Sequence, residues 1–460
     1  MKYFISAILA ILTLSCTSTD KEASTYFGGE IINPKSNFVL FLKDDKVIDT
    51  LLLDENNRFL NNYSSLTEGL FTFKHGIEFQ YIYLKPTDSI LIRLNTWDFD
   101  ESLVFSGKGS AKNEFLINLF LQNEKEEMEM YQYFNLEEVA FQQKIDSLSK
   151  ERIAIYNDFS ASEPEVSAEL EKLVNTAIHY PLYRLKEVYP FYYKRAHKLK
   201  NFPKVSDNFY DFRKNVNLNE EHLVAFYPYQ NYIVSYLYNL SYQLKEKDPS
   251  KEDITLNILN ATIEHIKAED FKNTLLKRIV VNDFLKSGST CSINQSALDL
   301  FLENCSNPHL IAEVKSLVND SKSIIDKEPL HNFEILSYNN NSSTINEVIK
   351  GENSVIYFWS NEFMSSDYLV KRVQHLEHNF PNILFIGINM HPTSEDITKE
   401  PNLKLLDFNK QFKLTKNSYA HNYLTSNYPR TIIVNSKGIV KNGFTYLDSK
   451  KLSSELRKLK

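Results

Sequence analysis

The run Ser354 to Ser366, SVIYFWSNEFMSS, constrains this chain more than any other stretch. Val355-Ile356-Tyr357-Phe358-Trp359 is apolar at every position and rich in β-branched and aromatic residues. A half-buried strand alternates, whereas this one has no polar side to give to water, so it belongs in the middle of a sheet covered on both faces. Ser360-Asn361-Glu362 is a short polar turn, and the segment 367–380 after it reads as a helix. A second run, Ile383-Leu384-Phe385-Ile386-Gly387-Ile388-Asn389, has the same continuous apolar character. Strand, helix, strand of this kind implies a parallel α/β unit, with reactive or binding groups at the strand ends and at the helix N-terminus.

A chain of 460 residues needs more than this one unit. Residues 25–112 read as strands cut by turns: 38–42, 47–53, 69–74, 79–84, 89–94 and 103–105. Their short, regular spacing predicts an antiparallel β-sandwich. Residues 113–325 carry apolar residues at three- and four-residue spacing and predict helices over 114–133, 137–159, 168–196, 220–247 and 254–285, with a short one over 294–304. Tyrosines crowd the middle of this region, from Tyr180 to Tyr242, and suit helix packing or a ligand surface. Pro181, Pro190 and Pro228 are expected to break or kink helices. Glu124 to Glu127 and the carboxylates Asp49 and Asp88 read as solvated.

The formal charge is −7, with no basic stripe, which argues against nucleic acid and against anionic lipid headgroups as main partners. Only 11 glycines occur, and neither a GxGxxG nor a GxxxxGK[ST] phosphate loop is found. His375 and His378 lie three apart on one helix, without an HExxH pattern or a Cys/His cluster. No metal and no cofactor are expected.

The N-terminus reads as a targeting segment. Lys2 precedes an apolar core, Tyr3 to Leu14, too short for a stable span. Leu14-Ser15-Cys16 resembles a bacterial lipoprotein processing site, which implies lipidation of Cys16, a signal peptide over 1–16, a tether over 17–24 and a cell-envelope location on the outer membrane or the periplasmic face of a membrane. Of the other cysteines, Cys291 and Cys305 flank the short helix and form a candidate disulfide in an oxidising compartment.

The last region, 326–460, resembles the TlpA-like, thioredoxin-like exported family. Pro329 to Ile335 matches its entry strand, Phe358-Trp359 its active-site strand, and Asn427-Tyr428-Pro429-Arg430-Thr431 the loop in which a cis-proline, here Pro429, opens a strand. The resemblance implies the order strand, helix, strand, helix, cis-proline, hairpin, helix. The β region and Asn113 likewise resemble the domain that precedes such units in exported lipoproteins. The family's two redox cysteines fall on Phe363 and Ser366, so both are missing. Thiol–disulfide exchange requires an attacking thiolate and a resolving thiol. Neither phenylalanine nor an unassisted serine hydroxyl supplies one. No catalytic residue is therefore assigned. The expectation is a redox-inactive groove lined by Trp359, Phe363, Met364, Tyr428 and Pro429, binding an envelope protein or extended peptide. Two alternatives stand beside it: an oxidoreductase using Cys291 and Cys305, and an accessory ligand-binding lipoprotein using the tyrosine-rich helices.

Overall fold

The structure, a computed structural model of the chain, describes residues 24–44, 46–163, 166–248, 250–287, 293–360, 364–392, 401–426 and 430–459. The architecture is multidomain, with β sheets, a helical middle and a further mixed sheet. Two compact units divide it: Met1–Met130 with Gln143–His179, and Tyr131–Gln142 with Tyr180–Lys460. The three-way division expected from sequence, at 112 and 325, follows composition, whereas this one follows spatial contact.

The first unit holds eight strands: β1 Thr25–Ile32, β2 Phe38–Lys43, β3 Lys46–Leu52, β4 Arg58–Tyr63, β5 Gly69–His75, β6 Glu78–Leu84, β7 Ser89–Asn95 and β8 Val104–Lys108. They form two four-stranded sheets, ordered β4-β1-β7-β8 and β3-β2-β5-β6. Strict alternation in β5 buries Phe71 and Phe73 on one side. Phe27 of one sheet and Phe41 of the other lie with ring centroids 5.0 Å apart, inside a single apolar core shared by both. The sheets are not wholly antiparallel: β1 runs parallel to β7, with Phe27 opposite Ile90 and Ile31 opposite Leu94. Five strands separate the pair in sequence, which leaves ample chain for a parallel crossover. Gly29 permits the close approach, because a Cβ there would lie 2.3 Å from the Ile92 carbonyl oxygen.

Helix α1, Ser110–Met130, closes the β6 edge. Its Asn113 accepts from the Tyr83 N–H at 2.6 Å and donates to the Tyr83 carbonyl at 2.9 Å, as a neighbouring strand would. Asp88 is not the solvated turn carboxylate expected. It is 5% exposed, ion-paired with Lys112 at 2.6 Å, and accepts from the Lys85 N–H. Asp49 is also engaged, taking bonds from Tyr63 and Asn61. The Glu124–Glu127 run is not uniformly solvated either. Glu126 is buried against the fully buried Arg152, at 2.6 Å. A helical charge run exposes only part of its circumference, and spacing alone does not say which residue meets a partner.

Helices α2 Glu138–Ser162 and α3 Ala168–Ala196 match the expected spans closely, whereas α4 Tyr227–Lys247 starts later than the expected 220, after a 3₁₀ turn at Glu221–Leu223. α3 continues through Pro181 and Pro190, while Pro228 sits in the first turn of α4, where its missing N–H costs nothing. The segment 254–285 is two helices, α5 Ile254–His265 and α6 Glu269–Ser287. Asn219 pins the break, donating to the His265 carbonyl and accepting from the Lys267 N–H. Helices α7 Gln295–Asn304 and α8 Pro308–Lys322 follow. In the second unit the tyrosine bodies pack on aromatic neighbours, as Tyr189 does on Phe141 at 4.2 Å. Many hydroxyls are taken internally, Tyr189 by the Leu136 carbonyl and Tyr193 by Glu137. Buried Glu187 receives a two-pronged bond from Arg213 and another from Asn239.

The C-terminal sheet has seven strands: β9 Glu334–Ser337, β10 Ser342–Thr344, β11 Ser354–Trp359, β12 Leu384–Asn389, β13 Gln411–Leu414, β14 Thr431–Val434 and β15 Val440–Thr445, ordered β10-β9-β13-β12-β11-β14-β15. Short helix α9 Ile345–Val348 precedes β11, α10 Ser366–Asn379 links β11 to parallel β12, and α11 Leu452–Leu456 follows the β14–β15 hairpin. All six residues of β11 are buried, Ile356 and Phe358 in one apolar cluster and Val355, Tyr357 and Trp359 in the other. The expected order is met except between β12 and β14. There the described residues form short 3₁₀ turns and β13, which extends the sheet beside β12, while 393–400, part of the segment where a helix is expected, lie outside the described residues. On β12, Gly387 leaves room for the Tyr357–Gln411 bond of 2.7 Å; a Cβ would lie 2.6 Å from the Tyr357 hydroxyl.

Asp320, at the end of α8, holds the loop that runs toward β14. It is 2% exposed, and each carboxylate oxygen accepts twice: from the N–H and hydroxyl of Thr425, and from the N–H and hydroxyl of Ser426. An asparagine side chain at this position keeps the shape and turns one acceptor into a donor facing two donors. Asp320→Asn is expected to lower stability by about 2–4 kcal/mol, seen as a fall of several degrees in the calorimetric transition. An unchanged transition would mean that the carboxylate is dispensable. Gly387→Ala is expected to cost about 1–3 kcal/mol through overpacking, read in the same calorimetric transition. An unchanged transition would discount the crowding at β12.

Candidate functional site

The carboxyl ends of β11 and β12 meet the N-terminus of α10, the place where α/β sheets present ligands and reacting groups. β11 arrives there buried on both faces, so its end is fixed by the core. Ser365 caps α10, its hydroxyl accepting from the Tyr368 N–H at 3.3 Å. Ser366, the second position matched to the family's cysteines, opens the helix and is 6% exposed.

Trp359 closes β11 and is 2% exposed, packed in the cluster with Leu369 and Val370. It belongs to the core and offers no open wall to a groove. The reason is the strand's central place: each of its faces is covered, including at the last residue. Met364 packs partly against the same cluster. Phe363, Tyr428 and Pro429 lie outside the described residues, as do Cys16 and Cys291. The expected cis bond before Pro429 falls there too.

Beyond Trp359 the strand ends bring together residues that sequence reasoning had not paired. Ser360 is 2% exposed, and its Oγ lies 3.4 Å from Nδ1 of His391, which stands exposed just past β12. Asn389 accepts from the His391 N–H at 3.0 Å and fixes the start of that turn. At 3.4 Å, with the serine covered, the contact orients the imidazole and does not activate a nucleophile.

Arg430 leads into β14 directly after the 427–429 position. Its side chain is 2% exposed. Nε donates to the Gly443 carbonyl at 2.7 Å and Nη1 to the Tyr423 carbonyl at 2.7 Å, with a longer contact to Ser323. The guanidinium lies 5.6 Å from the Tyr423 ring and 5.3 Å from the Phe444 ring. Burial draws its pKa down to about 10, with the Asp320 carboxylate opposing that shift. Among the described residues Nη2 has no hydrogen-bond partner. Asp320 and Arg430 thus hold Thr425, Ser426 and the start of β14, on either side of 427–429 in sequence. Neither was legible beforehand, since nothing in a sequence marks a buried arginine or a carboxylate that serves backbone N–H groups.

The one cysteine among the described residues is Cys305, a free and buried thiol at the C-cap of α7, 3.9 Å from the Asn307 carbonyl. Its candidate disulfide partner, Cys291, lies outside the described residues. Among the described residues no group of three metal-ligating side chains converges. No described helix is long and apolar enough to cross a membrane.

No family model matches the chain, and no curated protein does. Solved structures do match, over a limited part of it. The thioredoxin domain of a thiol-disulfide oxidoreductase from Bacteroides vulgatus is 18% identical and matches over 26% of this chain and 88% of its own, with a TM-score of 0.22. A thiol:disulfide interchange protein from Bacteroides sp. is 21% identical over 26% of this chain and 81% of its own, with a TM-score of 0.21. A secreted Mycobacterium tuberculosis disulfide oxidoreductase homologous to E. coli DsbE is 12% identical over 27% of this chain and 95% of its own, with a TM-score of 0.23.

Proposed function

We propose that this chain is a lipid-anchored cell-envelope protein whose C-terminal thioredoxin-like domain has lost redox chemistry and serves as a binding or scaffold module for an envelope protein or peptide. The observation that carries the reading is chemical. At the strand end where the family places two thiols, the chain has Phe363 and Ser366. Strand, helix, strand and a terminal hairpin with its helix support the fold assignment.

Extended-peptide capture beside the proline loop uses backbone hydrogen bonds and side-chain pockets, and needs no thiol. Asp320 and Arg430 support it by fixing Thr425, Ser426 and Arg430, since residues already held lose less entropy on binding. The oxidoreductase alternative relies on Cys291 and Cys305; the latter is buried and unbonded, which gives it no support. The tyrosine-rich alternative is weakened by the internal hydrogen bonds of Tyr189, Tyr193 and Tyr229.

A photo-crosslinking residue at Asn361 is expected to capture a discrete envelope protein or peptide. With that partner purified, Phe363→Ala and Tyr428→Ala are each expected to weaken binding by about tenfold or more, the size of an aromatic anchor lost from an interface centre. Undiminished affinity in both variants, with melting unchanged, would remove the groove from the account. In the same cells, Cys16→Ser is expected to abolish labelling by a fatty-acid analogue; persistent labelling would refute the anchor.

A further inference from the structure

We infer that the first unit carries a phospholipid-binding cleft at the end of its two sheets where the chain enters, and that this cleft seats the unit on the bilayer. The inference deepens the lipid-anchored reading and rests on it for the cleft's proximity to a membrane. A cleft of ≈ 400 Å³ opens between the β2–β3 hairpin and the loop from β4 to β5. Its walls include Lys43, Ile48, Tyr63, Leu66, Thr67 and Phe71, and Asn62, Ser64 and Ser65 make the rest of the lining polar. Phe71 is 3% exposed and belongs to the inter-sheet core, so the cleft descends onto apolar side chains. Tyr63 and Leu66 pack against that same core, while Ile48 is 49% exposed at the rim.

One cation stands in the cleft. Lys43 Nζ lies 4.9 Å from the centre of the Phe71 ring and donates to the Thr67 hydroxyl at 2.8 Å. Among the described residues it has no carboxylate within ion-pairing distance. The nearby carboxylate, Asp49, is occupied by the Tyr63 hydroxyl at 2.9 Å and by the Asn61 amide. An ammonium and a hydroxyl above an apolar floor suit a molecule with a phosphate at one end and hydrocarbon at the other. The net charge of −7 argues against a broad attraction to anionic membranes, so the seat is a local one. A single phosphate on Lys43 and hydrocarbon against Ile48 and Leu66 serve it, and any phospholipid supplies both.

Chain length names the bilayer as the source. Thr25 pairs with Tyr63, a wall of the cleft, so the chain enters the fold beside it. Thr25 follows Cys16 by nine positions, which span at most about 30 Å when extended. A lipidated Cys16 therefore holds the cleft within reach of the headgroup layer.

The test is flotation of the chain from Thr17 onward with phosphatidylcholine vesicles. Wild type is expected to float. Ile48→Glu and Lys43→Glu, both at accessible positions, are expected to reduce the bound fraction about tenfold with unchanged melting, and raised salt is expected to change wild-type binding little. No flotation of the wild type, or equal flotation of both variants, would overturn the cleft. Displacement by inorganic phosphate would also overturn it, as that marks a free-phosphate site. This chain lacks Cys16, so the outcome is independent of the anchor. Flotation without lipid on Cys16 in cells would refute the anchor and keep the cleft; lipid on Cys16 without flotation would do the reverse.

Discussion

Everything in the C-terminal sheet depends on β11 being buried along its whole length. Six consecutive residues with no solvent-facing side require a layer on each face, and the two apolar clusters supply them. Neighbours are then dictated: β12 parallel on one side and β14 antiparallel on the other. Crowding follows from the same cause. Tyr357 must place its hydroxyl inside the sheet, the Gln411 amide donates to it, and only a glycine fits beside them at position 387. The strand end carrying the candidate site is therefore held by packing and not by chemistry at the site.

Polar groups do the fastening where apolar packing stops. Asn113 substitutes for a strand at the β6 edge, Asp88 and Lys112 close a turn under Gly109, and Asp320 gathers four donors from two residues. Each is buried, and each is satisfied or nearly so, because an unpaired polar group there would cost more than the contact returns. Arg430 departs from this pattern, with one nitrogen unsatisfied among the described residues.

Legibility in the sequence tracked the kind of signal. Continuous apolar runs marked β11 and β12, and helical spacing marked α3 to the residue, because burial of a whole face leaves a periodic trace. β1 and β4 left none: Gly28-Gly29 interrupts the one, and Asn61-Asn62 makes the other polar. The break at Ile266 depends on Asn219, far away in sequence, and Asp88 and Glu126 depend on lysine and arginine partners that spacing cannot select. At the candidate site the absence of cysteine from 354–366 is plain from the residues alone. The burial of Trp359 and the roles of Asp320, Arg430 and the Ser360–His391 contact were not, since they arise from what the fold brings together.

The central claim is that the domain keeps the shape of a thiol-disulfide enzyme without its chemistry. A disulfide-reductase assay on the chain from Thr17 onward, with a chemical reductant as electron source, tests it most directly. The account predicts a rate no greater than reductant alone, unchanged by Cys305→Ser. A rate clearly above that background, abolished by Cys291→Ser or Cys305→Ser, would contradict it and make this chain an oxidoreductase with its dithiol outside the strand end.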